Sequence, residues 1–416
     1  MFTVPSIVLA NRMRVVAAFA VTLWSALMTS AAAESPAATS ATQAATPPLL
    51  PAATANQAAD AHDFIGEARV LAVVGACADG TAPAELDART IAAHCAKVRK
   101  VQAAYREKWL SKAQPFMLEH VPADVPKTVV YPFAGGDLST ALTVYPSATE
   151  ITTLSLEPAG DPRSLGVLNK AQLQAALSKA AYELNFLYAV NFSNTLNMIS
   201  AMRGGKLPTE LILALSALWV HGYEPSAVRY FTVLDDGTLH YLTTADLARA
   251  GDPARVDANK RNAFFANVEI AYRKRDGSAG GGTYRHISAN LDDAHIAKAP
   301  GVYAHLQSKG KIAAMTKAAS YLLAWDSFAK MRAFLLGHAT WMISDATGVA
   351  PKWGKPAGFT YETWGRFEAP HLDSGKATAA SWRAEWKAQP TRKLPFRFGY
   401  YDKQFRDHMV VMQRMP

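Results

Sequence analysis

The sequence predicts an α/β fold: a Rossmann-like mixed sheet with hairpin additions and an N-terminal helical extension. Three observations carry this. Residues 127–158 read strand, glycine turn, helix, strand, which is a parallel crossover. Two later stretches read as local hairpins. The chain before the first strand has helical periodicity alone. Strands that alternate with helices and then pair locally imply a mixed sheet.

The elements follow in order. "NRMR", then the apolar run Val15–Met28, then "SAAAE" with Ala31 and Ala33 before Glu34, is the pattern of a secretory signal peptide over residues 1–33. Met13 would begin a more compact version of the same signal, and an uncleaved anchor is the alternative, although the apolar run is short for spanning. Residues 34–60, rich in Ala, Thr, Pro and Ser, carry too few apolar side chains to offset their ordering entropy and read as a flexible leader. Residues 61–125 are the helical extension and 126–416 the α/β domain. Cys77 and Cys95 are the only cysteines; in an exported chain such a pair is expected to be a disulfide, with two buried free thiols the alternative.

"VPKTVVYPF" is the first strand, "DLSTALTVYP" a short helix and "EITTLSLEP" the second strand. A long helical stretch follows from Asn169, closed by Gly204 and Gly205, and a further helix has Pro208 near its first turn. "AVRYFTVLDDGTLHYLT" is a hairpin turning at Asp236-Gly237, and "NVEIAYRKRDGSAGGGTYRHISANL" is a second with a glycine-rich tip. "TKAASYLLAWDSFAKMRAFLLGHA" reads as helix, "TWMISDATGV" as a strand entering a turn, "ATAASWRAEWKA" as helix, and "LPFRFGYY" and "HMVVMQ" as strands.

Function is weakly signalled. The chain has 416 residues and a formal net charge of +9, with charges scattered and no nucleic-acid motif, so nucleic-acid binding is not expected. After signal cleavage no segment reaches membrane-spanning length. The expected location is periplasmic or secreted.

The strongest site candidate is "YPFAGGDLS". Gly135 and Gly136 follow the first strand, Ser139 begins the helix, and Glu157 ends the second strand about 20 residues on, where dinucleotide folds place an acid for ribose hydroxyls. The arrangement is similar to the first two motifs of Rossmann-like methyltransferases. It lacks their third glycine, Tyr131 and Pro132 stand where an acid is common, and Asp137 would repel a phosphate while being able to cap the helix. The ligand-binding candidates are therefore Gly135, Gly136, Asp137 and Glu157. The catalytic candidates are Asp137, Glu157 and Asp345, the last at the end of "TWMISD".

Other candidates carry less. The loop Arg275–His286 lacks the lysine of a phosphate loop and reads as a hairpin tip, with Arg285 and His286 as surface or packing residues. Lys317 and Ser320 stand in the order opposite to a serine–lysine acylase, beside Tyr321, so a solvated lysine and a packing serine are expected. Asp292, Asp293 and His295 read as a helix start rather than an ion site, and the basic run Lys97, Arg99, Lys100, Arg106 and Lys108 as a solvated helix face. No metal site is found by spacing, and no cofactor is expected.

The segments "YPFAGGD", "LEPAG", "KAASYL" and "LPFRFGY", in this order over roughly residues 125–401, resemble a group of exported bacterial proteins of unassigned activity. The resemblance implies export and one continuous domain. It implies no catalytic residues. What remains is three readings: an exported binder of a small molecule or an exported protein partner at a Rossmann-like crevice, a periplasmic hydrolase or transferase using strand-end carboxylates, and a degenerate methyltransferase-like cofactor binder.

Overall fold

A computed structural model describes residues 60–190 and 207–415. The signal segment, all but the last residue of the leader, and the glycine pair at 204–205 lie outside the described residues.

Three helices come first: α1 (Ile65–Ala76), α2 (Ala88–Tyr105) and α3 (Ser111–His120), the last two joined through one π-turn at Arg106–Leu110. Asp87 caps α2 by accepting the Thr90 N–H at 2.8 Å. Cys77 ends α1 in the left-handed region (φ 53°), and its disulfide to Cys95 joins α1 to α2 across a Cα separation of 5.5 Å. His94 Nε2 on the Val74 carbonyl and Gln102 Nε2 on the Ala76 carbonyl add two polar ties between the same helices. The basic residues of α2 and its π-turn are exposed, as expected of a solvated face.

The sheet has ten strands in the order β4-β3-β5-β6-β2-β1-β7-β8-β10-β9. Its centre is parallel: β6 (Gly281–Ser288), β2 (Glu150–Ser155), β1 (Thr128–Pro132), β7 (Ile312–Thr316) and β8 (Ala339–Ser344). The crossover expected over residues 127–158 is present, with α4 (Leu138–Val144) between β1 and β2. From β2 the chain passes through α5 (Lys170–Val190) and α6 (Thr209–Val220) into an antiparallel addition. This addition is β3 (Tyr223–Val233), β4 (Leu239–Tyr241) and β5 (Asn267–Lys274), zipped onto β6. Both predicted hairpins form. At the first, Gly237 has φ 87°, and a Cβ there would stand 2.6 Å from the His305 nitrogen, so the turn needs glycine twice over. At the other margin β10 (His408–Arg414) runs antiparallel between β8 and β9 (Phe359–Gly365).

The central strands are buried on both faces, which is why β7 reads "IAAMT" rather than alternating. Two apolar cores result. One packs α1–α6 on one face through residues such as Phe64, Leu142 and Leu215. The other packs α7 (Ala329–His338) and α8 (Lys376–Lys387) on the opposite face through Leu154, Phe334 and Trp382. The helical extension belongs to the first core: Trp109 Nε1 donates to the Arg397 carbonyl at 2.6 Å, and Phe116 packs on Trp364 and Phe396.

Three expectations are corrected. The stretch beginning "TKAASYLL" is not one helix. Thr316 ends β7, Ala318–Ala324 is a 3₁₀ segment, and α7 starts only at Ala329. The strand β7 itself escapes notice because alanine and methionine replace the β-branched residues that mark strands. "LPFRFGYY" is irregular rather than a strand, and Phe396 and Phe398 anchor it in the core.

Among the described residues no helix is long and apolar enough to cross a membrane. The disulfide gives a direct test. Cys77→Ala with Cys95→Ala, or reduction of the wild type, is expected to lower stability by about 3 kcal/mol. Urea unfolding with and without reductant measures it.

Candidate functional site

The parallel strands end together at one edge of the sheet. The topological switch point of a Rossmann-like sheet lies between β1 and β7, because the chain leaves β1 toward β2 on one side and β7 lies on the other. The backbone is unusual there. Phe133 (φ 60°) after β1 and Ala318 (φ 54°) after β7 both occupy the left-handed region without being glycine.

Asp137 and Lys317 meet in this crevice. Lys317 follows β7 and is 1% exposed, and Asp137, just ahead of α4, is 2% exposed. Lys317 Nζ lies 2.5 Å from Asp137 Oδ2. The Tyr131 hydroxyl donates to the same oxygen at 3.0 Å, and the Thr140 hydroxyl to Oδ1 at 2.7 Å. Lys317 Nζ also donates to Thr140 Oγ1 at 3.1 Å. Burial pushes the Lys317 ammonium below its ordinary range, opposed by the Asp137 charge. Burial, then the same charge, raises the Tyr131 phenol well above its own. Two expectations change. Lys317 is not solvated, and Asp137 spends its oxygens on side chains rather than capping the α4 backbone. Ser320 is buried, as a packing serine would be, and its Oγ accepts the Lys317 backbone N–H at 2.9 Å.

Asp345, just after β8, lies near Lys317, and its charge acts on the ammonium. Its Oδ2 accepts the N–H groups of Ala318 and Tyr400, and its Oδ1 accepts the N–H and hydroxyl of Thr347. A carboxylate so satisfied holds loops together and has little capacity left for substrate. Gly399 (φ 62°) closes the space between these groups. A Cβ there would stand 2.2 Å from Asp345 Oδ2 and 2.7 Å from Lys317 Cγ. The irregular "LPFRFGYY" segment therefore plugs the β7–β8 half of the crevice.

The β1–β2 half is plugged by α6. A Cβ on Gly136 would meet Leu213 Cδ1 at 2.3 Å, and one on Gly160 would meet Pro208 Cα at 2.6 Å. The glycine turn accommodates Leu213 of α6 where a cofactor fold would accommodate phosphate, and Gly160 accommodates the residue before that helix.

Glu157 does not join Asp137 and Asp345 around Lys317. It is fully buried and neighbours Glu210 of α6, which is 1% exposed. Neither carboxylate has a hydrogen-bond partner among the described residues. Burial, then the charges of Glu157 and Asp137, hold the Glu210 carboxyl well above its ordinary range. His286 of β6 stands beside them, 3.6 Å from Glu210 Oε1. Its Nε2 donates to the Glu157 carbonyl at 2.7 Å, leaving Nδ1 to accept from Thr153 at 3.3 Å. Burial pushes His286 down to about 4, so it is neutral and gives the two acids no counter-charge.

Glu210, His286 and Lys317 were thus the polar residues that sequence spacing missed or under-read; Glu210 sits in an apolar helix, and its buried acid was the available signal. Ser139 is a further one. Its Oγ lies 3.0 Å from both the Tyr105 hydroxyl and His221 Nε2, inside the α4 face. The remaining candidates are structural. Asp292 caps the helix at Asp293–Lys298, as expected, and Arg285 pairs with Glu150 and Glu269. The tip at Asp276 is an exposed side-chain turn closed on Ser278. Among the described residues no three His, Cys, Asp or Glu side chains are grouped to hold a metal ion.

No family model, curated protein or solved structure matches this chain.

Two tests follow. Lys317→Met leaves Asp137 buried without its cation and is expected to cost about 3–5 kcal/mol, with much of that recovered in Asp137→Leu/Lys317→Met; double-mutant unfolding measures both. Glu210 has a folded-state value above the unfolded one of about 4.3. Its contribution to stability is therefore complete below that pH and is lost as pH rises through the folded value. Glu210→Gln should remove this loss, so the variant gains on the wild type as pH rises above about 4.3, read in urea titrations at several pH values.

Proposed function

We propose that this protein is exported and binds a small molecule rich in hydrogen-bond donors, without turnover, beside α6, the helix that closes the β1–β2 side of its Rossmann-like crevice. One observation carries the reading: Glu157 and Glu210 present buried carboxylate oxygens with no hydrogen-bond partner among the described residues. Buried acceptors are normally satisfied, and an unpaired one costs about 1–3 kcal/mol. Hydroxyls, an ammonium or a guanidinium would satisfy both acids. Helix α6, which carries Glu210, also lines with Thr209, Ile212 and Leu213 a mostly apolar cavity of about 300 Å³, closed on its far side by Ala176, Ala180 and Glu183 of α5. Room for a small ligand thus adjoins the helix that closes the crevice.

Binding is favoured over catalysis by the other two strand-end acids. Asp137 is neutralised by Lys317, and Asp345 is saturated by backbone and Thr347 donors. Export is supported by the N-terminal signal pattern and by the disulfide.

A second reading, a degenerate methyltransferase-like cofactor fold, is favoured by strand order. Without the inserted β3, β4 and β5, the sheet reads β6-β2-β1-β7-β8-β10-β9, with β10 reversed. That order is similar to the one in Rossmann-like methyltransferases, the group that the glycine turn also resembles.

A thermal-shift screen of the mature protein separates the readings. Polyols, amines and guanidines should raise the melting temperature, and Glu157→Gln should abolish the rise. A shift with S-adenosylmethionine or NAD instead would favour the second reading. Metal- or cofactor-dependent turnover in a hydrolase and transferase screen would refute the first.

A further inference from the structure

The Asp137–Lys317 pair has a geometry that a surface ion pair lacks. The amine and the carboxyl group are in contact, both are almost wholly excluded from solvent, and neither depends on a ligand. We propose that Lys317 and Asp137 are a self-modifying pair that forms an intramolecular amide between Lys317 Nζ and Asp137 Cγ.

Each chemical requirement has a residue. Condensation of an amine with a carboxylic acid is disfavoured in water because both partners ionise and water is in excess. A dry interior weakens both objections, since it disfavours the ionised forms of both groups. Lys317 is buried enough for its ammonium to be pushed toward the neutral amine, the nucleophilic form. Contact at 2.5 Å holds the reacting groups together, so their meeting has no bimolecular cost. The hydroxyls of Tyr131 and Thr140 donate to the two Asp137 oxygens, where negative charge develops as nitrogen adds to the carbon. The charge of Asp345 lies near enough to act on Lys317 and favours positive charge on the attacking nitrogen. Phe398 covers the amine, its ring centroid 5.6 Å from Nζ, and Gly399 packs the Lys317 stem.

The step balances without a co-reactant. One proton passes from the Lys317 ammonium to Asp137 Oδ2. The neutral Nζ bonds to Cγ, the Cγ–Oδ2 bond breaks, and Oδ2 departs as water with that proton and a second from Nζ. The third stays on the amide nitrogen. The product joins the loop after β1 to the end of β7 across the switch point, the two places where Phe133 and Ala318 hold left-handed backbone.

The wild-type protein is the deciding sample. It is purified folded, then denatured, reduced and digested with trypsin, conditions in which an ion pair cannot hold peptides together. The expected product is residues 128–163 joined to residues 312–330, uncleaved after Lys317 and lighter than the two peptides by one water. Lys317→Arg should yield separate peptides. Asp137→Asn should yield the same joined product as wild type, with ammonia leaving in place of water. Asp345→Asn should slow the joining in freshly made protein. Recovery of residues 128–163 free, with cleavage after Lys317, from folded wild-type protein overturns the proposal.

Discussion

The charge of Lys317 has to be matched inside a dry crevice, and much of the carboxyl edge is arranged around that need. A buried ammonium is tolerated only with a counter-charge and satisfied donors. Asp137 provides the charge, and Thr140 and Tyr131 fix Asp137 in place. Asp345 adds a second negative group and uses its own oxygens to bind the loops after β7, β8 and Gly399 into one unit. Removing any one of these leaves a polar group buried without its partner, so the network holds as a set.

The same edge shows why a Rossmann-like sheet need not retain a nucleotide site. Such a sheet places glycines and a helix N-terminus after β1 for phosphate and an acid after β2 for ribose. Here Gly135, Gly136 and Glu157 are present, yet Leu213 fills the space beside Gly136, and Pro208 packs on Gly160 after β2. Helix α6 is apolar enough to be core, and the one acid at its start lands beside Glu157. The outcome is two acids without a counter-ion among the described residues on one side of the crevice and a matched ion pair on the other. This asymmetry separates a binding role for Glu157 and Glu210 from a structural or self-modifying role for Asp137 and Lys317.

The legible parts of the fold were those with strong local signals. Thr, Val and Ile in the flanking strands, Asp236-Gly237 in the hairpin and Pro208 before α6 each constrain backbone by their own chemistry. The central strand β7 carried no such signal, because burial on both faces admits alanine and methionine as readily as valine. "LPFRFGYY" misled in the opposite sense: its aromatic residues fit a strand, but they are spent anchoring an irregular plug in the core.

The sequence by itself determined the α/β class, the crossover after Tyr131, the pairing of the only two cysteines and the edge of the sheet where polar chemistry gathers. These depend on residue type over short spans. Tertiary structure alone decided which acids meet which bases. Lys317 lies 180 positions from Asp137, and Glu210 lies 53 from Glu157. Sequence spacing carries no information about such distances, whereas β1 and β7 pair directly and α6 packs on the turns after β1 and β2. A lysine that local pattern assigns to solvent becomes buried because the strand before it is the centre of the sheet.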